Sequence, residues 1–172
     1  MALVKKIKDR KVNIEFNKEF IKVINEKIKK QDTDFLANSL KELLPADSAD
    51  IIENLSPENR SKLIELEGFN IDPEIFVELN ESIQTEIFLL LSVESIASLL
   101  KKLESDNALK ILENLNQSKK ETVLNRLPPK DRFLLEEGLS YPEDTAARIM
   151  QREFTAIPSN WSVGQTIDYL RE

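Results

Sequence analysis

Carboxylates are the groups in this sequence best placed to do chemistry. The 172 residues hold 31 Asp and Glu against 24 Lys and Arg, a formal net charge of -7, with no His and no Cys. Lack of Cys removes disulfides, thiolate zinc sites and cysteine nucleophiles; lack of His removes the commonest general base and the imidazole metal ligand. Oxygen ligands remain, and they suit hard cations such as Mg²⁺ or Ca²⁺. From Leu63 to Leu100 there is no Lys or Arg, while Glu65, Glu67, Asp72, Glu74, Glu78, Glu81, Glu86 and Glu94 all fall inside. Such a run repels nucleic acid and attracts cations or a basic partner surface, and its plainest role is a solvated acidic face.

Other chemistries are poorly served. The three glycines, Gly68, Gly138 and Gly164, cannot form a phosphate-cradling loop or a dinucleotide fingerprint. Glu136 and Glu137 are adjacent, so they point to different helix faces and need a pocket before acid–base work. Ser92 and Ser140 have no His base and read as caps or turns. No enzyme is expected.

The elements that must position the acids are helices. Phe20, Ile21, Ile24 and Ile28 fall at helical spacing, as do Phe35, Leu36, Leu40, Leu43 and Leu44. Similar sets run through Ile51–Leu55, Leu63–Leu66, Ile96–Leu103, Leu109–Leu115, Val123–Leu127 and Phe133–Leu135. Phe69, Phe76 and Phe88 are expected in the core. The starts share a plan: Leu55-Ser56-Pro57-Glu58, Ile71-Asp72-Pro73-Glu74 and Leu127-Pro128-Pro129-Lys130 each close one helix on an aliphatic residue and open the next. Ser56 and Asp72 can accept from free first-turn amides, and proline fits the first helical position because it lacks the N–H. Arg60 and Arg132 both stand five positions after such a leucine. Short helices restarting every ~10–20 residues predict an all-α fold, a superhelical stack of helix pairs like a solenoid, with neighbours covering each apolar face.

The ends differ from the middle. Residues 1–30 carry ten basic and four acidic groups, a basic amphipathic segment, whereas the rest is strongly acidic. The longest apolar run, Ile87 to Leu91, falls far short of the ~18–20 residues of a membrane span, and no signal peptide is written at the start. A soluble, cytoplasmic type of chain is expected. After Leu139 the joint Ser140-Tyr141-Pro142-Glu143-Asp144 precedes a short helical stretch. Phe154 to Pro158 then reads as extended, and Ser162 to Glu172 as a capped helix with Val163, Ile167 and Leu170 on one face. This ending looks like a truncated βα unit. Trp161 is expected to pack against whatever follows.

The stretch Leu139-Ser140-Tyr141-Pro142-Glu143-Asp144-Thr145-Ala146-Ala147-Arg148-Ile149-Met150 and on to Ile157 resembles the hinge of MgtE-type magnesium transporters. In that family a Tyr-Pro-Glu-Asp, small residue, Arg, Leu/Met sequence leads from a helical N domain into the first CBS domain. Trp161-Ser162-Val163-Gly164-Gln165-Thr166-Ile167 resembles the opening helix of that CBS domain. The likeness covers roughly residues 33–172. It implies four segments: a basic amphipathic opening over 1–30, a helical-repeat N domain over 31–139, a hinge over 140–152, and the start of a CBS domain over 153–172.

The resemblance also implies a function. In MgtE transporters the N and CBS domains sense Mg²⁺ on the cytoplasmic side of the membrane and a separate membrane domain conducts it. Mg²⁺ bound between acidic N and CBS surfaces favours the closed pore. The implied partners are the CBS domains of the same polypeptide and the membrane domain, with a homodimer for the full-length protein and no nucleic acid. Ile75-Phe76-Val77-Glu78-Leu79 matches the family's apolar-Glu-aliphatic segment, so the resemblance implies Glu78 as an Mg²⁺ ligand. Some members carry acids at the positions of Asp106 and Lys110; Asp106 keeps the acid, while Lys110 departs and opposes a cation there. A structural helical-repeat adaptor of the flagellar motor switch type is the alternative, since those proteins share the superhelical texture.

Overall fold

The computed structural model describes residues 14–67, 70–152 and 154–171. The expectations for residues 1–13 and for Phe69 lie outside the described residues. The fold is all-α as expected, with twelve helices and no strand among the described residues: α1 (Ile14–Lys30), α2 (Thr33–Lys41), α3 (Pro45–Asn54), α4 (Pro57–Glu67), α5 (Pro73–Glu78), α6 (Glu81–Leu90), α7 (Val93–Leu100), α8 (Ser105–Glu113), α9 (Gln117–Leu124), α10 (Pro129–Ser140), α11 (Ala146–Ile149) and α12 (Val163–Arg171).

Local chemistry sets the starts. The Asp72 carboxylate accepts the Glu74 N–H at 3.1 Å, Ser56 Oγ accepts that of Asn59 at 3.3 Å, and Ser92 Oγ that of Ser95 at 3.1 Å. Asn80 and Asn116 cap α6 and α9 in the same way, at 3.0 and 2.9 Å. Each cap satisfies an amide that the first turn leaves without a partner. Prolines 45, 73 and 129 occupy the first turn of their helices.

Helix ends are closed by side chains reaching backwards. Ser48, Arg60 and Gln84 are buried polar residues, each at the fourth position of its helix. Each donates to the carbonyl eight residues upstream: Ser48 Oγ to Leu40 O at 3.2 Å, Arg60 Nε to Ile52 O at 3.1 Å, and Gln84 Nε2 to Phe76 O at 2.7 Å. Arg60 Nη2 also reaches Glu53 O and Leu55 O, and its Nη1 pairs with Glu86 at 2.5 Å. Lys119 serves α6 from a distance, its ammonium donating to the carbonyls of Phe88 and Leu91. Burial pushes that ammonium below its usual pKa. Arg132 does not repeat the Arg60 arrangement; on the surface it reaches Glu136 at 2.6 Å and the Asn125 side chain at 2.7 Å.

Packing runs mostly between second neighbours along the chain: α2 on α4, α3 on α5, α4 on α6, α7 on α9 and α8 on α10. An additional contact brings α5 against α8. One continuous core results, from Phe20, Ile24 and Ile28 through Leu36, Ile52 and Leu63 to Ile96, Leu109 and Leu112. Phe76 and Phe88 stack inside it with ring centroids 6.1 Å apart. Of the consecutive Phe133, Leu134 and Leu135, Leu135 is buried and Phe133 is 65% exposed, because three successive residues span too much of a helix to share one face. Leu44 is also exposed.

The last segment leaves the core. Residues 154–158 form neither helix nor strand, and α12 buries none of its residues, Val163, Ile167 and Leu170 included. Trp161 packs edge-on against Tyr169 at 5.3 Å.

Candidate functional site

The acids gather where α5 meets α8. Asp72 caps α5 and Pro73 starts it, so Glu74 falls in the first turn. From there Glu74 Oε2 accepts from Asn107 Nδ2 of α8 at 3.2 Å. Asn107 also receives the Lys110 ammonium on its Oδ1 at 3.4 Å, and its backbone N–H donates to Asp106 Oδ1 at 2.9 Å. Partial burial, then the neighbouring Asp72, holds the Glu74 carboxyl above its ordinary pKa; Asn107 partly offsets this, and Glu104 and Asp106 add to the rise. Four carboxylates from two helices and their caps therefore share one surface at a cost in repulsion.

The two candidate ligands fare differently. Asp106 is one of the acids acting on Glu74 and is half-buried at the start of α8. Glu78, one turn beyond Glu74 and the last residue of α5, is exposed and lies outside that set. Among the described residues no three carboxylates come close enough to form a ligand set for an ion. The oxygen donors are of the kind that hard divalent cations take. Lys110 is placed beside Asn107, within reach of the same surface.

Glu74, Glu104 and Asn107 join this site without having been expected there. Glu74 reads in sequence as a first-turn acid favoured by the helix dipole, and nothing local announces that α8 will sit beside it. A space of about 50 Å³ is lined by Leu100, Leu103, Ala108, Leu134 and Leu135, with Lys101, Ser105 and Asp131. It contains none of the four acids.

The segment after α10 is fastened to α8. Arg148 is buried, with Nε on Glu113 at 2.6 Å and Nη1 on Gly138 O at 2.9 Å. The Arg152 N–H donates to Ser105 Oγ at 3.0 Å. A Cβ at Gly138 would meet Leu109 Cδ1 at 2.5 Å, so the buried Leu109 side chain would have to shift to admit one.

The family model for the MgtE intracellular N domain matches residues 43–144, more than half of the chain. Two solved structures share the fold. The soluble part of a magnesium transporter aligns with a TM-score of 0.73 and 22% identity over 90% of this chain and 61% of that one. The cytosolic domain of the Mg²⁺ channel MgtE in complex with ATP aligns with a TM-score of 0.73 and 22% identity over 86% of this chain and 61% of that one. The chain thus spans about three fifths of the length of each. No curated protein sequence matches it.

Proposed function

The chain belongs to the family of MgtE intracellular N domains, and from that premise we propose that it is the cytosolic Mg²⁺-sensing domain of a magnesium transporter. It carries out no catalysis. The acidic surface at α5 and α8 is one half of a site whose other half comes from CBS domains of the same polypeptide. In this reading the N domain runs over residues 31–139, residues 140–152 are the hinge, and residues 153–172 begin the first CBS domain. The full-length protein is a homodimer, with its membrane domain carrying the ion.

The observation that supports this most directly is the crowding at Glu74, whose carboxyl is held above its usual pKa by burial and by neighbouring acids. Like charges on two facing surfaces push them apart; a divalent cation between them converts repulsion into bridging. Because the ion binds the assembled pair better than the separated one, it shifts the population toward the closed arrangement. The Glu78 carboxylate, without a hydrogen bond or ion pair among the described residues, is available to reach across to the second surface, and Asp106 contributes from α8.

Thermal melts across Mg²⁺ concentrations, with KCl matching ionic strength, test the reading. Binding to the folded state raises the midpoint by mass action. This chain alone is expected to respond weakly. The same chain extended through a CBS pair should show a Mg²⁺-specific rise, reduced in Glu78→Gln and in Asp106→Asn. A flat response of the extended chain overturns the sensor reading.

A further inference from the structure

We infer that residues 141–152 form a latch, closed on α8 through the Arg148–Glu113 ion pair, that opens as a unit while the other helices stay folded. The helix at its centre, α11, has four residues and no side-chain cap. A helix of that length does not hold itself in water, so tertiary contacts must keep it in place. Apolar burial contributes little, since Ile149 is 71% exposed and Met150 50% exposed. What remains is polar. Arg148 sits at the centre, bonded to Glu113 at 2.6 Å, Gly138 O at 2.9 Å and Tyr141 O at 3.4 Å.

The second fastening is near the end of the segment. The Arg152 N–H reaches Ser105 Oγ, its guanidinium turns back to Ala147 O at 2.6 Å and Met150 O at 3.0 Å, and it lies over the Tyr141 ring at 5.6 Å. Glu113 and Ser105 are the two ends of α8. The segment therefore runs the length of that helix, tied at both ends. The bonds of Arg148 to Tyr141 O and of Arg152 to Ala147 O and Met150 O are internal to the segment and would survive lifting off, whereas the bond of Arg148 to Gly138 O ties the segment to α10 and breaks with the ion pair. Glu113 is the half-exposed partner of the pair, so its carboxylate is the open side of the fastening. A segment held this way sits at the low end of local stability, where opening precedes global unfolding. Everything described beyond it, from Phe154 onward, is carried by the latch. This holds whether or not a cation binds the acidic surface.

The chain has no Cys, so a Lys130→Cys/Gln151→Cys variant takes two spin labels and no others. With Glu113 intact, the label-to-label distance should be narrowly distributed. Adding Glu113→Ala should broaden it, with unchanged helical circular dichroism. Trypsin should then cut after Arg148 about tenfold faster, at a rate nearly independent of urea, as expected for local opening. Glu113→Gln, which keeps the size and one acceptor, should fall between, and stands in if the Ala variant does not fold. An unchanged distance distribution and cleavage rate overturns the role of Glu113. Cleavage that rises with urea as steeply as global unfolding overturns the latch itself.

Discussion

Glu74 shows how a single carboxyl links packing to charge. Partial burial first, then Asp72, raises its pKa, with Glu104 and Asp106 adding to the effect. A carboxyl raised in the folded state makes that state bind more protons than the unfolded chain. Its unfavourable contribution is therefore present at neutral pH and is relieved as pH falls through the folded pKa toward the unfolded value of about 4.3. Glu74→Gln should raise stability at pH 7 by about 0.5 kcal/mol or less, in the range of surface substitutions, and keep the Asn107 bond through its Oε1. Urea titrations at pH 7 and pH 4.5 check this. The gain must shrink at the lower pH; a gain equal at both means charge is not the cause. Little of this was legible beforehand. The acid run from Leu63 to Leu100 announced an electronegative surface, but Glu104 and Asp106 come from beyond it, brought in by the contact of α5 with α8.

At the scale of elements, much could be read. Ser56 and Asp72 cap as their positions require, and the prolines mark true helix starts. The closing of helix ends was hidden, because a back-reaching side chain depends on the angle between two helices. Leu55-Ser56-Pro57-Glu58-Asn59-Arg60 and Leu127-Pro128-Pro129-Lys130-Asp131-Arg132 look alike in sequence. Arg60 is nonetheless buried on three carbonyls, while Arg132 lies in a surface network. Arg60→Ala should therefore strip carbonyls of their donors and leave Glu86 unpaired, costing about 3 kcal/mol, whereas Arg132→Ala should cost less than about 1 kcal/mol. Equilibrium urea unfolding of the two variants distinguishes them. Equal losses would mean that the carbonyl contacts of Arg60 contribute nothing beyond a surface pair.

For the molecule as a whole, core and tail separate cleanly. The continuous core involves helices α1 to α10, and α12 adds no buried residue to it. Deleting residues 154–172 should then leave the urea midpoint nearly unchanged, within about 0.5 kcal/mol of stability, despite removing several large apolar side chains. A larger loss would mean that α12 packs on the body in solution. The apolar face of Val163, Ile167 and Leu170 was legible from spacing, but spacing does not say what covers it. Here it is open, along with Phe154 at 72% exposure.

The eight-residue reach from Ser48, Arg60 and Gln84 to the preceding helix makes each of these corners a ruler. One residue inserted at such a corner would rotate the donor by about 100° around its helix and advance it by about 1.5 Å, away from its carbonyl. The three corners should therefore tolerate changes of residue far better than changes of length, and natural insertions should collect elsewhere along the chain.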